Sequence, residues 1–144
     1  MAHQDKGHYA AKHPDTTTVD ERIAGLIRQK AQNDVITCAD ATLIAQANGM
    51  SMKEVGVNLD LLEMRISFCQ MGLFGFSPDK RIVKPAEKVD VALEKAIKAK
   101  LHDGRLSCEN SWKVANQLCL PKMTVSEACE ALKIKIKPCQ LGAF

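Results

Sequence analysis

The chain contains two copies of one sequence unit. The segment CQMGLF at 69–74 returns 70 residues later as CQLGAF at 139–144. With that shift, residues 19–74 align with 89–144 without a gap, and 13 of the 56 aligned positions are identical. Others exchange similar residues, such as Thr37 with Ser107. A repeat constrains the fold strongly, because each copy must be one structural unit. We therefore expect two copies of one small domain.

Composition indicates a globular chain with an aliphatic core. Each copy has about the 60 residues with which a domain can just sustain a core. The chain is 46% hydrophobic and 26% charged but only 4% aromatic, which is typical of a folded domain. No apolar run is long enough for a membrane span, and residues 1–15 lack the apolar segment of a secretory signal. These features predict a cytoplasmic protein without a membrane partner.

Capping residues divide the first copy into three helices. Thr18, with Glu21 three residues later, predicts a helix over 19–33 that starts with a capping box. Thr37 and Ser51 are suited to cap the second and third helices. Gly49 lies between these two helices, where a turn with positive φ is expected.

Short strands complete the predicted unit. Residues 35–36 form a β-branched pair, residues 63–68 alternate between apolar and polar side chains, and 81–85 is a candidate returning strand. The second copy is expected to repeat the order, with helices over 87–103, 108–118 and 123–132 and a strand over 133–137. It ends before a returning strand, so its wing is expected to be truncated.

Three residues of the first copy resemble the helix-turn-helix core of winged-helix proteins. Ala45 is small where two helices touch, Gly49 suits the turn, and Val55 fills the angle between the helices. In the second copy Ala115 and Val125 match, and Cys119 replaces the glycine. The resemblance implies a mainly α fold with small β, built as two tandem winged-helix-like (α-β-α-α-β) repeats, with DNA binding as the associated function. The CQxGxF ending is similar to that of uncharacterised prokaryotic proteins and implies no activity.

These patterns predict four segments. They are a flexible arm at 1–17, a first winged-helix repeat at 18–76, a linker or wing strand at 77–86, and a second repeat with a truncated wing at 87–144.

Charge is distributed unevenly between the copies. Residues 1–74 carry 7 basic and 9 acidic side chains, a net −2, whereas residues 75–144 carry 13 and 8, a net +5. A basic half favours a polyanionic partner. The third helices, however, have a net charge of −2 over 51–63 and −1 over 121–132, which is unfavourable near phosphates.

A nucleic-acid interface is therefore expected outside the third helices, and we predict a regulatory DNA-binding protein that acts through its second half. The candidate contacts are Lys80, Arg81, Lys84, Lys88, Lys95, Lys98, Lys133, Lys135 and Lys137. Alternate lysines on a strand share one face. They can equally protect an exposed edge from aggregation, and the sequence leaves both interpretations open.

Two further functions stay open from the sequence. The acidic third helices could bind a basic protein partner. The repeat-equivalent cysteines Cys38, Cys69, Cys108 and Cys139 could hold zinc or an iron–sulfur cluster between the copies, with Cys38 and Cys108 favoured as thiolates at helix starts. Without a CxxC motif, buried structural thiols are the preferred interpretation, and no cofactor is expected.

The remaining candidate groups indicate no chemistry. Cys119 and Cys129 are expected in the core. His3, His8 and His13 could gather on a metal, but a flexible terminal segment explains them more simply. No nucleophile–base–acid set or phosphate loop is present, so we do not expect an enzyme. The sequence leaves the oligomeric state open.

Overall fold

The computed structural model describes residues 8–144, which form a mainly helical fold with a little strand. This confirms the prediction of a mainly α fold with small β. A short 3-10 helix, Tyr9–Lys12, precedes the elements of the first copy. Those elements are α1 (Glu21–Lys30), β1 (Val35–Thr37), α2 (Cys38–Asn48), α3 (Met52–Leu61) and β2 (Arg65–Ser67). The second copy has α4 (Val91–Ala99), β3 (Arg105–Leu106), α5 (Cys108–Gln117), α6 (Lys122–Ala131) and β4 (Lys135–Ile136). No helix within this range is long and apolar enough to cross a bilayer.

The backbone geometry of the two halves corresponds at the 70-residue spacing. Glu63 and Lys133, directly after α3 and α6, both have positive φ, at 55° and 58°. Gly49 and Cys119, in the turns before these helices, have φ of 64° and 54°. The second turn therefore keeps the left-handed conformation although a cysteine occupies it, a conformation that costs a non-glycine residue about 1–2 kcal/mol.

Of the three helix caps predicted in the first copy, two form and the third is wrong. The side chains of Thr37 and Ser51 each accept a backbone N–H from three residues ahead, at 3.0 Å. Helix α1, however, is capped by Asp20 rather than Thr18, through two N–H groups of its first turn at 3.0 and 3.3 Å. The backbone N–H of Asp20 donates to the Asn58 side chain at 2.8 Å, which fixes the start of α1 against α3.

The strands form two separate parallel pairs. Val35 and Ile36 of β1 lie beside Arg65 and Ile66 of β2, and β3 pairs with β4 in the same way. Both second strands are shorter than the predicted spans 63–68 and 133–137, because the left-handed residue after each third helix must first turn the chain.

No wing strand forms over 77–86, so the predicted returning strand is wrong. The linker instead folds back on the CQMGLF turn at 69–74. There the N–H groups of Ile82 and Val83 both donate to the Gly72 carbonyl, at 2.9 and 3.2 Å. It then runs beside α6, where the N–H of Ala86 donates to the Glu127 carbonyl at 3.0 Å. Two backbone donors on one carbonyl and the burial of Val83 hold the segment against the domain rather than in a hairpin.

Residues 8–13 pack on α3, whereas the sequence predicted a flexible arm over 1–17. The N–H groups of Tyr9 and Ala10 donate to the Glu63 carboxylate at 2.8 and 3.1 Å, and the Tyr9 side chain is 6% exposed. His3 lies outside the described residues. The buried Tyr9 ring and the Glu63 carboxylate are the contacts that attach this segment to the first copy.

The two copies share one core through reciprocal contacts. The turn at 139–144 packs on α3 of the first copy, where a Cβ placed on Gly56 would lie 2.2 Å from the Leu141 carbonyl oxygen. The turn at 69–74 packs on α6, where a Cβ on Gly72 would lie 2.4 Å from the Met123 sulfur. The two motif phenylalanines, Phe74 and Phe144, meet edge to face with centroids 5.6 Å apart.

We expect Gly56→Ala to destabilise the protein by about 1–3 kcal/mol, because the added methyl group would overlap a backbone carbonyl that has little room to move. Gly25→Ala is the matched control. It lies within α1 with nothing near its Cβ position, so the gain in helix propensity should stabilise the protein by about 0.5–1 kcal/mol. Urea denaturation measures both changes, and a Gly56→Ala variant as stable as the wild type would contradict the reciprocal packing.

Candidate nucleic-acid interface and thiol cluster

A basic surface lies on the β3–β4 pair. Arg105 and Lys135 are direct neighbours across the two strands, and both are exposed, whereas Leu106 and Ile136 beside them are buried. Paired residues in adjacent strands project to the same side. The two cations therefore lie next to each other on the outer side of the sheet.

Lys137 extends this surface, and Lys133 lies beside it in a turn. The N–H of Lys137 donates to the Leu106 carbonyl at 2.9 Å, so Lys137 continues the ladder two residues beyond Lys135 and faces the same side. Lys133 has positive φ and precedes the strand, which corrects the prediction that all three lysines alternate on one strand. All three are exposed. We call Arg105, Lys133, Lys135 and Lys137 the basic strand face.

Arg105 was missing from the predicted contacts. The sequence predicted a strand over 133–137, but not that this strand pairs with the short strand before the α5 cap Ser107. Only the parallel pairing of β3 with β4 brings it to Lys135. Among residues 8–144, no carboxylate forms an ion pair with the basic strand face.

The other predicted cations are exposed, but they divide into two groups. Arg81 pairs with Glu130 of α6, three residues before Lys133, and Lys80 and Lys84 belong to the same linker. In contrast, Lys98 pairs with Glu94 at 3.6 Å within α4. Lys88 and Lys95 are exposed, and no contact within residues 8–144 links them to the basic strand face.

The third helices are covered by the segments that precede each copy. Asp60 of α3 binds the Lys12 ammonium at 3.1 Å and the His13 ring at 2.8 Å. In the second copy, Arg81 pairs with Glu130, which aligns with Asp60 under the 70-residue shift. Of the five acidic side chains that the sequence offered to a basic protein partner, Asp60, Glu63 and Glu130 therefore already have partners within the chain.

The four repeat-equivalent cysteines come together between the copies. Cys38, Cys69, Cys108 and Cys139 line a single cavity together with both motif glutamines, Trp112, and apolar residues of the two turns. The amide of Gln70 donates to the Cys38 sulfur at 3.7 Å, and that of Gln140 donates to the Cys108 sulfur at 3.5 Å. All six cysteines are free thiols.

Burial raises the pKa of three of these thiols, Cys69, Cys108 and Cys139. The pKa of Cys69 rises to about 11 and that of Cys108 to about 12. The helix start was expected to favour a thiolate at Cys108, and that expectation is wrong because loss of hydration outweighs the helix dipole. Neighbouring thiols raise these pKa values further.

The other predicted groups stay apart from this cluster. Cys129 is buried as expected, whereas Cys119 is exposed in the turn before α6, which corrects its assignment to the core. His8 is exposed, and His13 contacts Asp60. Over residues 8–144, no three His, Cys, Asp or Glu side chains already stand in a metal-holding arrangement. The predicted histidine site therefore has no support from His8 and His13.

Comparison with known proteins identifies no relative. No protein-family model, no curated protein and no solved structure matches the chain.

The buried thiol of Cys129 should make stability depend on alkaline pH. Burial raises its pKa from 9.0 to about 12. Above pH 9 the unfolded chain therefore releases this proton while the folded chain retains it, and stability falls as pH rises. The contribution is about 1.4 kcal/mol per pH unit. In urea denaturation under reducing conditions, Cys129→Ala should show a shallower decline above pH 9 but a constant offset from the wild type below pH 8. Parallel declines would contradict this assignment.

Proposed function

We propose that the protein binds the phosphate backbone of nucleic acid, as a DNA-binding regulator, through the basic strand face of its second copy. The observation that carries the proposal is the pairing of Arg105 with Lys135 on adjacent exposed strand positions. Lys133 and Lys137 flank this pair. Clustered cations without acidic partners gain affinity when they displace counterions from a phosphate backbone.

The proposed binding mode differs from that of a standard helix-turn-helix protein. A recognition helix must present base-reading side chains to the major groove. Here α3 is covered by residues 8–13 and by the turn at 139–144, and α6 by the linker. Contacts from the strand face and the adjoining linker cations position a protein on the backbone without reading its sequence.

The alternative of an acidic protein-interaction surface has less support. It requires free carboxylates on the third helices, and three of the five acidic residues over 51–63 and 121–132, namely Asp60, Glu63 and Glu130, are already engaged within the chain. The edge-protection interpretation of the lysines makes a different prediction from nucleic-acid binding, because it requires no affinity for phosphates.

Fluorescence anisotropy with random-sequence duplex DNA tests the proposal. Four phosphate contacts predict that log K falls with log[salt] with a slope of about −3 to −4. The triple substitution Lys133→Gln, Lys135→Gln and Lys137→Gln should weaken binding and make the slope less steep by roughly 2 to 3.

The matched control changes the net charge equally at other exposed positions: Lys30→Gln, Lys53→Gln and Lys113→Gln. It should leave most of the affinity and the slope intact. Equal losses in both triple variants would show that only net charge matters and would remove the basic strand face as the site. No binding by the wild type at low salt would overturn the proposal itself.

A further inference from the structure

A second cavity lies between the segment before α1, helix α3 and the CQxGxF turn of the second copy. Lys53, Val57 and Asp60 of α3 form one wall, residues 12–13 form another, and residues 140–142 form the third. Its volume is about 180 Å³, whereas one water molecule needs only about 10–15 Å³. The cavity can therefore admit a small molecule.

The 70-residue shift places a matching space beside the CQxGxF turn of the first copy, and there the space is filled. A Cβ on Gly72 would meet the side chains of Met123 and Ile82, whereas a Cβ on Gly142 would have no atom beyond its chain neighbours within 4 Å in residues 8–144. The surrounding contacts otherwise correspond. The Ile82 N–H donates to the Gly72 carbonyl, and the Lys12 ammonium donates to the Gly142 carbonyl at 3.0 Å. One packing scheme thus leaves a closed space at one turn and an open cavity at the other.

Basic side chains line the open cavity where the closed space has apolar ones. Lys53 aligns with Met123, and the Lys–His pair at 12–13 aligns with the Ile–Val pair at 82–83. The second copy shows that the packing scheme accepts the apolar residues. Packing alone therefore explains neither the cavity nor its charges. A concave space with a few polar groups is instead typical of a small-molecule site.

The charges of the cavity favour an anion with a single negative charge. The Asp60 carboxylate binds the Lys12 ammonium at 3.1 Å and the His13 ring at 2.8 Å. Lys53, in contrast, forms no ion pair within residues 8–144. With His13 neutral, two lysines and one aspartate give the lining a net charge of +1. A monoanion balances this charge, whereas a dianion would leave excess negative charge beside Asp60.

The order of buried and exposed residues orients such an anion. Asp60 and Leu141 are buried, Val57 is half-buried and Lys53 is exposed, so the lysine lies at the opening. An apolar group gains by leaving water for the surface of Val57 and Leu141. Its acid group would then meet Lys53 and stay away from Asp60. A carboxylate on a short apolar chain or ring has both properties.

We propose that this cavity binds a small organic monocarboxylate, with the carboxylate on the Lys53 ammonium and the apolar part against Val57 and Leu141. The ligand contacts the segment before α1, helix α3 and the turn of the second copy together. Because it binds only the folded chain, it stabilises the contact between the two copies. The site shares no residue with the basic strand face.

Titration of the full chain with a series of linear carboxylates from acetate to hexanoate, and with benzoate, tests the site at constant ionic strength. In ¹H–¹⁵N correlation spectra we expect at least one of them to cause saturable shifts at millimolar concentration or below. The shifts should be centred on residues 12–13, 53–60 and 140–142. The amide of the same acid has the same shape without the charge and should bind at least about tenfold more weakly, a difference of about 1.4 kcal/mol.

Lys53→Met places the residue of the second copy at the aligned position. It should fill the space as Met123 does beside Gly72, remove the unpaired charge, and weaken carboxylate binding at least about tenfold. Lys30→Met is the matched control. Lys30 is exposed at the end of α1 and does not line the cavity, so its loss should leave the affinity unchanged.

The comparison of acid with amide uses only the wild type, so the test does not depend on how well the variants fold. The proposal is overturned if no carboxylate of the series causes saturable shifts at the three segments, or if acid and amide bind equally. It is also overturned if a folded Lys53→Met variant binds as tightly as Lys30→Met.

Discussion

The packing of each CQxGxF turn on the third helix of the other copy is the contact on which this fold depends. A carbonyl of one turn lies where Gly56 has no side chain, and Met123 occupies the space beside Gly72 of the other. Each copy alone is close to the lower size limit for a stable core. The exchange of turns joins the two halves into one apolar cluster, and it also brings the repeated cysteines and the Phe74–Phe144 pair to the centre.

Local sequence signals predicted the elements of the fold but not its long-range contacts. The caps at Thr37 and Ser51 and the turn at Gly49 each depend on neighbouring residues, so residue type was sufficient. The predicted wing strand does not form because the N–H groups of Ile82 and Val83 bond to the carbonyl of Gly72, in the preceding turn. Likewise, Asp20 replaced Thr18 as a cap because Asn58 holds its backbone. Contacts of this kind have no local signature.

For the candidate sites too, the sequence predicted the residues but not the contacts that group them. The nine cations were predicted from charge and are all exposed, but their grouping required the sheet register, which added Arg105 and left Lys88, Lys95 and Lys98 without a link to the strand face. For the cysteines, the repeat indicated which four belong together. The state of Cys108 could not be derived from its position at a helix start, because desolvation in the assembled interface opposes and exceeds the dipole.

Because the third helices are covered, they restrict the surfaces on which a partner can bind. Lys12 and Arg81 neutralise aligned acidic positions on α3 and α6, and the motif turns pack on the same two helices. Third helices that make these contacts cannot also be inserted into a groove of DNA without breaking them. A partner that binds without breaking these contacts must use a surface that they do not cover. In the second copy the most basic such surface is the outer side of β3 and β4, where the first copy has Val35, Glu63 and Ser67 in place of Arg105, Lys133 and Lys137. The two copies therefore share a packing scheme but differ in charge on this exposed strand surface.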